Sequence, residues 1–331
     1  MKKITANVLF AGVGMQERGI TNTGLFDLEV VSTSEIDKYA ILSYAAIHNG
    51  LTDELLETEY ENRKAEINAN KDTMVTYLTT RKIGYDFVKD KMPNWERCNA
   101  KELYKYYRAC ELNHNIGDIA SCQILPYADL WTYSFPCTDI SLAGDQKGIE
   151  KGLTRSGLVY EVTRLLETAI NGNSAPKYLL MENVDALVSK KFKPTFEALL
   201  QWFDEHSYNT YWQVLNAKDH GVPQNRKRVF ALHIRKDIDN GQFKFPHGYD
   251  NGKRLKDVLD KNVDEKYYLS REVQERFHPV EDKGNNIIGS TAPPFRTIGQ
   301  RDLVFDKEQR MGALVATDYK QPKQIMEKKN E

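Results

Sequence analysis

The sequence predicts an α/β fold, a mostly parallel sheet flanked by helices, followed by a second and smaller irregular domain. Three observations predict it. Short apolar runs alternate with helical patterns through the first half of the chain. Each run is β-branched or aromatic and ends in Gly, Pro, Asn or a charged residue, as strands buried on both faces do. After Arg235 the texture changes to a turn-rich, charged stretch beginning DIDNGQFKFPHGYDNGKR.

Taken in order, the strand-like runs cover residues 7–11, 28–34, 130–134, 178–182, 210–216 and 229–235. Helical periodicity covers 38–48, 156–170 and 193–206. The polar, lysine- and tyrosine-rich stretch 52–115 interrupts the alternation and reads as a largely helical insertion beside the sheet. There is no internal repeat and no low-complexity tract.

At 331 residues the chain can form one large domain plus a smaller module. Its 40% apolar and 28% charged content is that of a soluble globular protein. No apolar run approaches the ~20 residues of a membrane span. The N-terminus, MKKITANVLFAGVG, runs into a strand without a signal-peptide cleavage pattern, so the fold is expected to start there and the location to be cytoplasmic. A net charge of −1 selects no partner; a nucleic-acid surface would have to gather its basic residues on one face. The four cysteines, Cys98, Cys110, Cys122 and Cys137, form no CxxC pair and have no HxxxH or HxE partner. Free thiols are expected, one of them reactive, and no metal site.

Four segments carry chemistry. Phe10-Ala11-Gly12-Val13-Gly14 follows a strand and precedes a helix, where glycines permit a tight turn and close approach of backbone N–H groups to a ligand. Glu35-Ile36 follows the second strand, with Glu35 placed to accept from ribose hydroxyls. Gly117-Asp118-Ile119 offers a carboxylate to an adenine amino group at the end of a third strand. After Gly14 the next glycine is Gly19, so the spacing is not GxGxxG and points to a mononucleoside rather than a dinucleotide. On its residues alone FxGxG is equally a structural turn.

The second segment, Ser134-Phe135-Pro136-Cys137-Thr138-Asp139-Ile140-Ser141, puts a cysteine in a Pro-containing loop after a strand. A thiol near a cation or a helix N-terminus becomes a nucleophile; a lone cysteine is more often inert and buried. In the third, Met181-Glu182-Asn183-Val184, a strand-end carboxylate faces the same edge and can share a proton with a ring nitrogen, or else cap a helix. In the fourth, Gln224-Asn225-Arg226-Lys227-Arg228, strand alternation puts Gln224, Arg226 and Arg228 on one face as donors to phosphate or base oxygens; a solvated charge run has the same appearance.

The four segments, in this order and at these spacings over 7–233, resemble the DNA (cytosine-5)-methyltransferase family of bacteria and phages. The resemblance implies an S-adenosylmethionine-dependent methyltransferase (Rossmann-like) fold, a mixed sheet with helices on both faces. It implies a catalytic domain over 1–235 with the insertion at 52–115, a small target-recognition domain over 236–312 and a return segment over 313–331. It makes Cys137 the nucleophile and Glu182 the proton-carrying carboxylate. Arg226 and Arg228 hold the flipped base and its backbone. Phe10, Gly12, Gly14, Glu35, Ile36, Asp118, Ile119, Pro136 and Leu158 line the cofactor site, and Thr154-Arg155-Ser156-Gly157-Leu158 covers the cofactor's methionine end. The implied reaction moves a methyl group from S-adenosylmethionine to carbon 5 of a cytosine flipped out of double-stranded DNA, leaving S-adenosylhomocysteine, with no metal. The glycine- and lysine-bearing loop over 143–152 is suited to closing over DNA.

Two departures accompany the resemblance. Thr138 stands where most relatives have Gln. Residues 312–320, GALVATDYK, resemble the family's penultimate motif, but no GNS motif follows before residue 331. A truncated chain, a natural end and a split enzyme completed by a second chain all agree with that. The alternative function is accordingly a DNA-binding, inactive or partner-dependent larger half of a split methyltransferase.

Overall fold

The computed structural model describes residues 1–140, 148–150, 153–281, 286–314 and 322–326. Its contacts divide the chain into two compact units, Met1–Gln213 with Val229–Lys244, and Val214–Arg228 with Phe245–Glu331. This division differs from the expected boundary after 235. The segment Val214–Arg228 bonds within the second unit, where Met311 and Gly312 pair with Gln224 and Asn225 and the Tyr249 amide donates to the Asp219 carbonyl.

The first unit is built on a six-stranded sheet. Its strands are β1 (Lys2–Leu9), β2 (Phe26–Ser34), β3 (Leu130–Tyr133), β4 (Tyr178–Val184), β5 (Tyr208–Asn216) and, after the short β6 (Gln224–Asn225) of the second unit, β7 (Lys227–Arg235). The order is β2-β1-β3-β4-β7-β5, and β2, β1, β3 and β4 run parallel. All four residues of β3 are buried although successive side chains point to opposite faces, so both faces of the sheet are covered at its centre. Each of the six strand-like runs marked in the sequence overlaps one of these strands.

Helices α1 (Met15–Asn22), α2 (Lys38–Asn49), α7 (Val159–Asn171) and α8 (Lys193–Glu205) connect these strands. Local chemistry sets their ends: the Asp37 carboxylate accepts from the amides of Tyr39 and Ala40 at the start of α2, and Gly50 closes it in the left-handed conformation at φ 67°. The insertion is helical, as expected: α3 (Asp53–Asn62), α4 (Lys64–Ala69), α5 (Lys71–Thr80) and α6 (Ala100–Leu112). Thr52 and Asn99 cap α3 and α6 through their side chains. These helices share one apolar core with α2, in which Ile41 and Ala45 meet Leu56, Leu78 and Leu103.

One expected strand is absent. Asp118 does not end a strand; it caps the 3-10 turn Ile119–Ser121. The chain pairs with the sheet at an isolated bridge between Thr33 and Asn115, and the Asn115 side chain bonds both the amide and the carbonyl of Glu35. A side chain therefore replaces the backbone ladder that the sequence pattern suggested.

The second unit holds a four-stranded sheet in the order β12-β10-β9-β8, with β8 (His278–Pro279), β9 (Ile287–Ser290), β10 (Leu303–Asp306) and β12 (Gln324–Met326), and pairs β6 with β11 (Met311–Gly312). Leu255, Phe305 and Met311 form its core. Residues 315–320 of the GALVATDYK segment lie outside the described residues, as does most of the loop over 143–152. Among the described residues no helix is long and apolar enough to cross a membrane.

Candidate active site

The FAGVG turn leaves β1 through alternating left-handed residues, Phe10 at φ 57°, Gly12 at φ 55° and Gly14 at φ 77°. Gly14 resists substitution: at its left-handed φ a Cβ would also lie 2.2 Å from His48 Nε2 and 2.8 Å from Tyr44 Cε2, so both side chains would have to move. The turn is pinned from outside. The Ala11 amide donates to the Ser34 carbonyl at 3.0 Å and the Gly12 amide to the Glu35 carboxylate at 2.8 Å. The other Glu35 oxygen accepts from the amides of Ile36 and Asp37, both at 2.8 Å. Burial pushes the Glu35 carboxyl above the usual range, against the pull of these donors. Glu35 thus shapes the turn as well as offering its remaining lone pairs to a ligand.

Beside this turn the first unit encloses a cavity of about 540 Å³, within the range of small-molecule sites. Phe10, Glu35, Ile36, Asp118, Ile119, Pro136 and Leu158, all expected from the sequence, line it. Gly12 and Gly14 do not; they set the path of the turn. Arg155, from the segment expected to cover one end, also lines the cavity.

Sequence reasoning missed the wall contributed by the insertion. Gly84, Tyr85, Asp86 and Phe87 all face the cavity. The Gly84 amide donates to the Ile36 carbonyl at 2.6 Å, and the Asp118 amide to the Arg81 carbonyl at 3.0 Å. Lys82 reaches the Asp118 carboxylate at 2.7 Å, with the carboxylate side chain only 5% exposed. Arg155 sits over the Phe87 ring at 5.4 Å from its centroid. A glycine followed by two aromatics in KIGYDF was the available signal, but nothing local says which neighbour it meets.

The cavity suits an adenosyl amino acid. Phe10, Ile36, Tyr85 and Phe87 offer apolar and aromatic surface for a purine, Glu35 and Asp118 offer acceptors to hydroxyl and amino hydrogens, and Lys38 and Arg155 offer positive charge to a carboxylate.

The loop that carries Cys137 leaves β3 beside the part of β4 that carries Glu182. In the β3–β4 register Tyr133, the last residue of β3, lies opposite Met181, so Glu182 is one residue further along β4 and Cys137 is four residues past Tyr133. Cys137 is partly exposed, not turned into the core. Its loop is braced from three sides. The Asn183 side-chain amide donates to the Phe135 carbonyl at 3.0 Å, the Ser156 hydroxyl to the Pro136 carbonyl at 2.7 Å, and the Ser156 backbone amide to the Asp139 carboxylate at 2.9 Å. Because Ser134 and Pro136 also line the cavity, the cysteine loop borders it.

Arg226 and Arg228 belong to the segment grouped with the second unit. The expected alternation does not run through them. The Arg226 amide folds back to the Gln224 carbonyl at 3.0 Å and also donates to the Asn216 side chain, breaking the pleat between β6 and β7.

A parallel-centred sheet with an adenosyl-sized cavity at its strand ends defines an α/β S-adenosylmethionine-dependent methyltransferase. The chain belongs to the C-5 cytosine-specific DNA methylase family, whose description matches residues 91–330, and it is a DNA (cytosine-5)-methyltransferase. It is 39% identical over 264 residues to the type II methyltransferase M2.ScrFI of Lactococcus lactis subsp. cremoris, covering 78% of this chain and 68% of that protein. It is 32% identical over 315 residues to the orphan methyltransferase M.SssI of Spiroplasma monobiae, covering 93% of this chain and 78% of that one. Among solved structures, the Entamoeba histolytica methyltransferase EhMeth aligns at a TM-score of 0.55 and 14% identity, over 98% of this chain and 74% of its own. The S. pombe Dnmt2 methyltransferase aligns at 0.53 and 14%, over 99% and 78%. At such identities the likeness is one of fold.

Proposed function

We propose that the chain methylates cytosine through a covalent adduct on Cys137, with the base turned out of duplex DNA. The observation that carries the reading is the β3–β4 register, which brings the cysteine loop and Glu182 to one edge beside the cavity. Carbon 5 of cytosine is a weak nucleophile. The Cys137 thiolate adds to carbon 6, forming a carbon–sulfur bond and moving the ring electron pair toward carbon 5 and N3. Glu182 holds the proton at N3 that stabilises this charge. When bound, S-adenosylmethionine supplies an electrophilic methyl group on its sulfonium and departs as the neutral thioether. Loss of the carbon 5 proton then expels the Cys137 thiolate and restores the aromatic ring.

Carbon 6 is sealed inside a stacked duplex, which is why the reading includes extrusion of the base. Arg226 and Arg228 are assigned to oxygens of the DNA, and the second unit to target recognition. Phosphate contacts make binding salt-sensitive. The chain works without metal and in the cytoplasm on this reading.

A duplex carrying 5-fluorocytosine at the modified site tests it. Fluorine replaces the hydrogen that must leave, so the adduct is trapped. A denaturant-resistant complex that disappears in Cys137→Ser supports the mechanism; its absence in an otherwise DNA-binding chain favours the inactive or partner-dependent reading. S-adenosylmethionine affinity separates those two: tight binding by this chain alone removes the need for a second chain.

A further inference from the structure

Two consecutive side chains of α1 reach the strand that leads to Cys137. The Gln16 side-chain amide donates to the Ser134 hydroxyl, and the Thr132 hydroxyl donates to the Glu17 carboxylate at 3.2 Å. Gln16 stands in the first turn of α1, just past Gly14, which caps that helix at the end of the cofactor turn. Ser134 is the first residue beyond β3 and lines the cavity. In the β1–β3 register Leu9 lies opposite Tyr133, and each is the last residue of its strand. The cofactor turn and the cysteine loop therefore begin at one level on neighbouring strands, with Gln16 bonded across from one to the other. Because β3 lies between β1 and β4, Asn183 braces the cysteine loop from the β4 side and Gln16 from the β1 side.

The Gln16 side-chain oxygen is buried and has no hydrogen-bond partner among the described residues. A buried amide oxygen left unpaired is destabilising, so an apolar side chain of similar size would suit a purely structural position better. We propose that Gln16 is a positioning residue for methyl transfer: by holding the Ser134 hydroxyl it sets the Cys137 loop at a fixed place relative to the cofactor cavity. Group transfer needs reacting atoms about 3–3.5 Å apart and aligned, and a displacement of about 1 Å costs on the order of 100-fold in rate. A bond that joins the wall of the methyl donor's cavity to the loop of the nucleophile acts directly on that alignment. The inference rests on the proposed role of Cys137.

The test uses the full chain at saturating S-adenosylmethionine. Gln16→Leu is expected to leave the melting temperature and the cofactor affinity nearly unchanged and to lower the single-turnover methylation rate about tenfold or more. Ser134→Ala should lose a similar factor, and the double variant no more than either single one, since both remove the same bond. Gln16→Glu should stay within about threefold of the unsubstituted chain, because a serine hydroxyl bonds a carboxyl group in either protonation state. A further readout needs no turnover. With S-adenosylhomocysteine bound, alkylation of Cys137 by iodoacetamide, followed by peptide mass spectrometry, should be at least about threefold faster in Gln16→Leu, whose loop is less firmly held. An unchanged single-turnover rate, an unchanged alkylation rate, or losses that add in the double variant overturns the positioning role and leaves the reaction intact. Failure of the underlying reading looks different: if the unsubstituted chain forms no adduct on a 5-fluorocytosine duplex, Cys137 is not the nucleophile and the role of Gln16 falls with it.

Discussion

The side-chain amide of Asn183 donates to the backbone carbonyl of Phe135 at 3.0 Å, so the strand that carries Glu182 holds the loop that carries Cys137. Asn183 is 2% exposed, and its carbonyl oxygen accepts from the Val184 amide at 2.8 Å. One residue thereby fixes the spacing between two groups proposed to act on one base.

Asn183→Asp keeps the acceptor for Val184 and turns the donor toward Phe135 into a second acceptor. We expect kcat to fall at least about tenfold with S-adenosylmethionine affinity little changed, and stability to fall by about 1–3 kcal/mol. Single-turnover methylation and urea denaturation measure both. A variant with normal turnover would show that the loop is positioned by its other braces alone.

Gly14→Ala should damage the cofactor turn. The residue has φ 77°, and its Cβ would overlap His48 and Tyr44. We expect a loss of about 1–3 kcal/mol in stability and weaker S-adenosylmethionine binding, read by calorimetry. Gly12→Ala meets no atom within 4 Å, so at φ 55° it should show only the backbone cost and the milder phenotype.

Lys82→Met leaves the Asp118 carboxylate, 5% exposed, without its counter-charge and loosens the 84–87 wall of the cavity. Because the Lys82 side chain is 44% exposed, solvent screening limits the stability loss to about 1–2 kcal/mol. Cofactor affinity should fall more than melting temperature suggests, and Lys82→Arg should restore it. Equal affinities for the unsubstituted chain and Lys82→Met would remove the insertion from the cofactor site.

Two buried groups give the first unit opposing pH dependences. Desolvation raises the Glu17 carboxyl from 4.5 to about 7, against its bond from the Thr132 hydroxyl. Between those values the folded chain keeps a proton that the unfolded chain releases, so stability falls as pH rises. Desolvation lowers His233, bonded to Tyr133 and Thr210, from 6.5 to about 3. Over that interval the unfolded chain binds a proton that the folded chain refuses, so stability falls as pH drops.

The two slopes cancel where the intervals overlap, from pH 4.5 to 6.5. Glu17→Gln leaves the histidine slope alone. Its stability should rise across that window by on the order of 3 kcal/mol, whereas that of the unsubstituted chain stays nearly level. Urea melts at several pH values decide this; parallel curves for the two proteins would mean that Glu17 titrates normally.

The sequence by itself determined the elements and the order of their chemistry. Apolar runs bounded by glycine, proline and charge located all six strands of the main sheet, because strand and helix periodicities are local properties. The same local patterns marked FAGVG, the Pro-Cys loop and the strand-end glutamate. Tertiary structure decided who meets whom. The strand order places β3 between β1 and β4, and the bond from Asn183 to Phe135 spans 48 residues of sequence. Lys82 reaches Asp118 across 36 residues from an insertion that looked peripheral. Asn115 stands in for a ladder where a strand was expected, and Arg226 breaks the alternation expected of QNRKR. Each depends on long-range hydrogen bonds and ion pairs whose partners leave no periodic trace in the sequence, since closing a loop between distant residues fixes geometry without constraining the residues inside it.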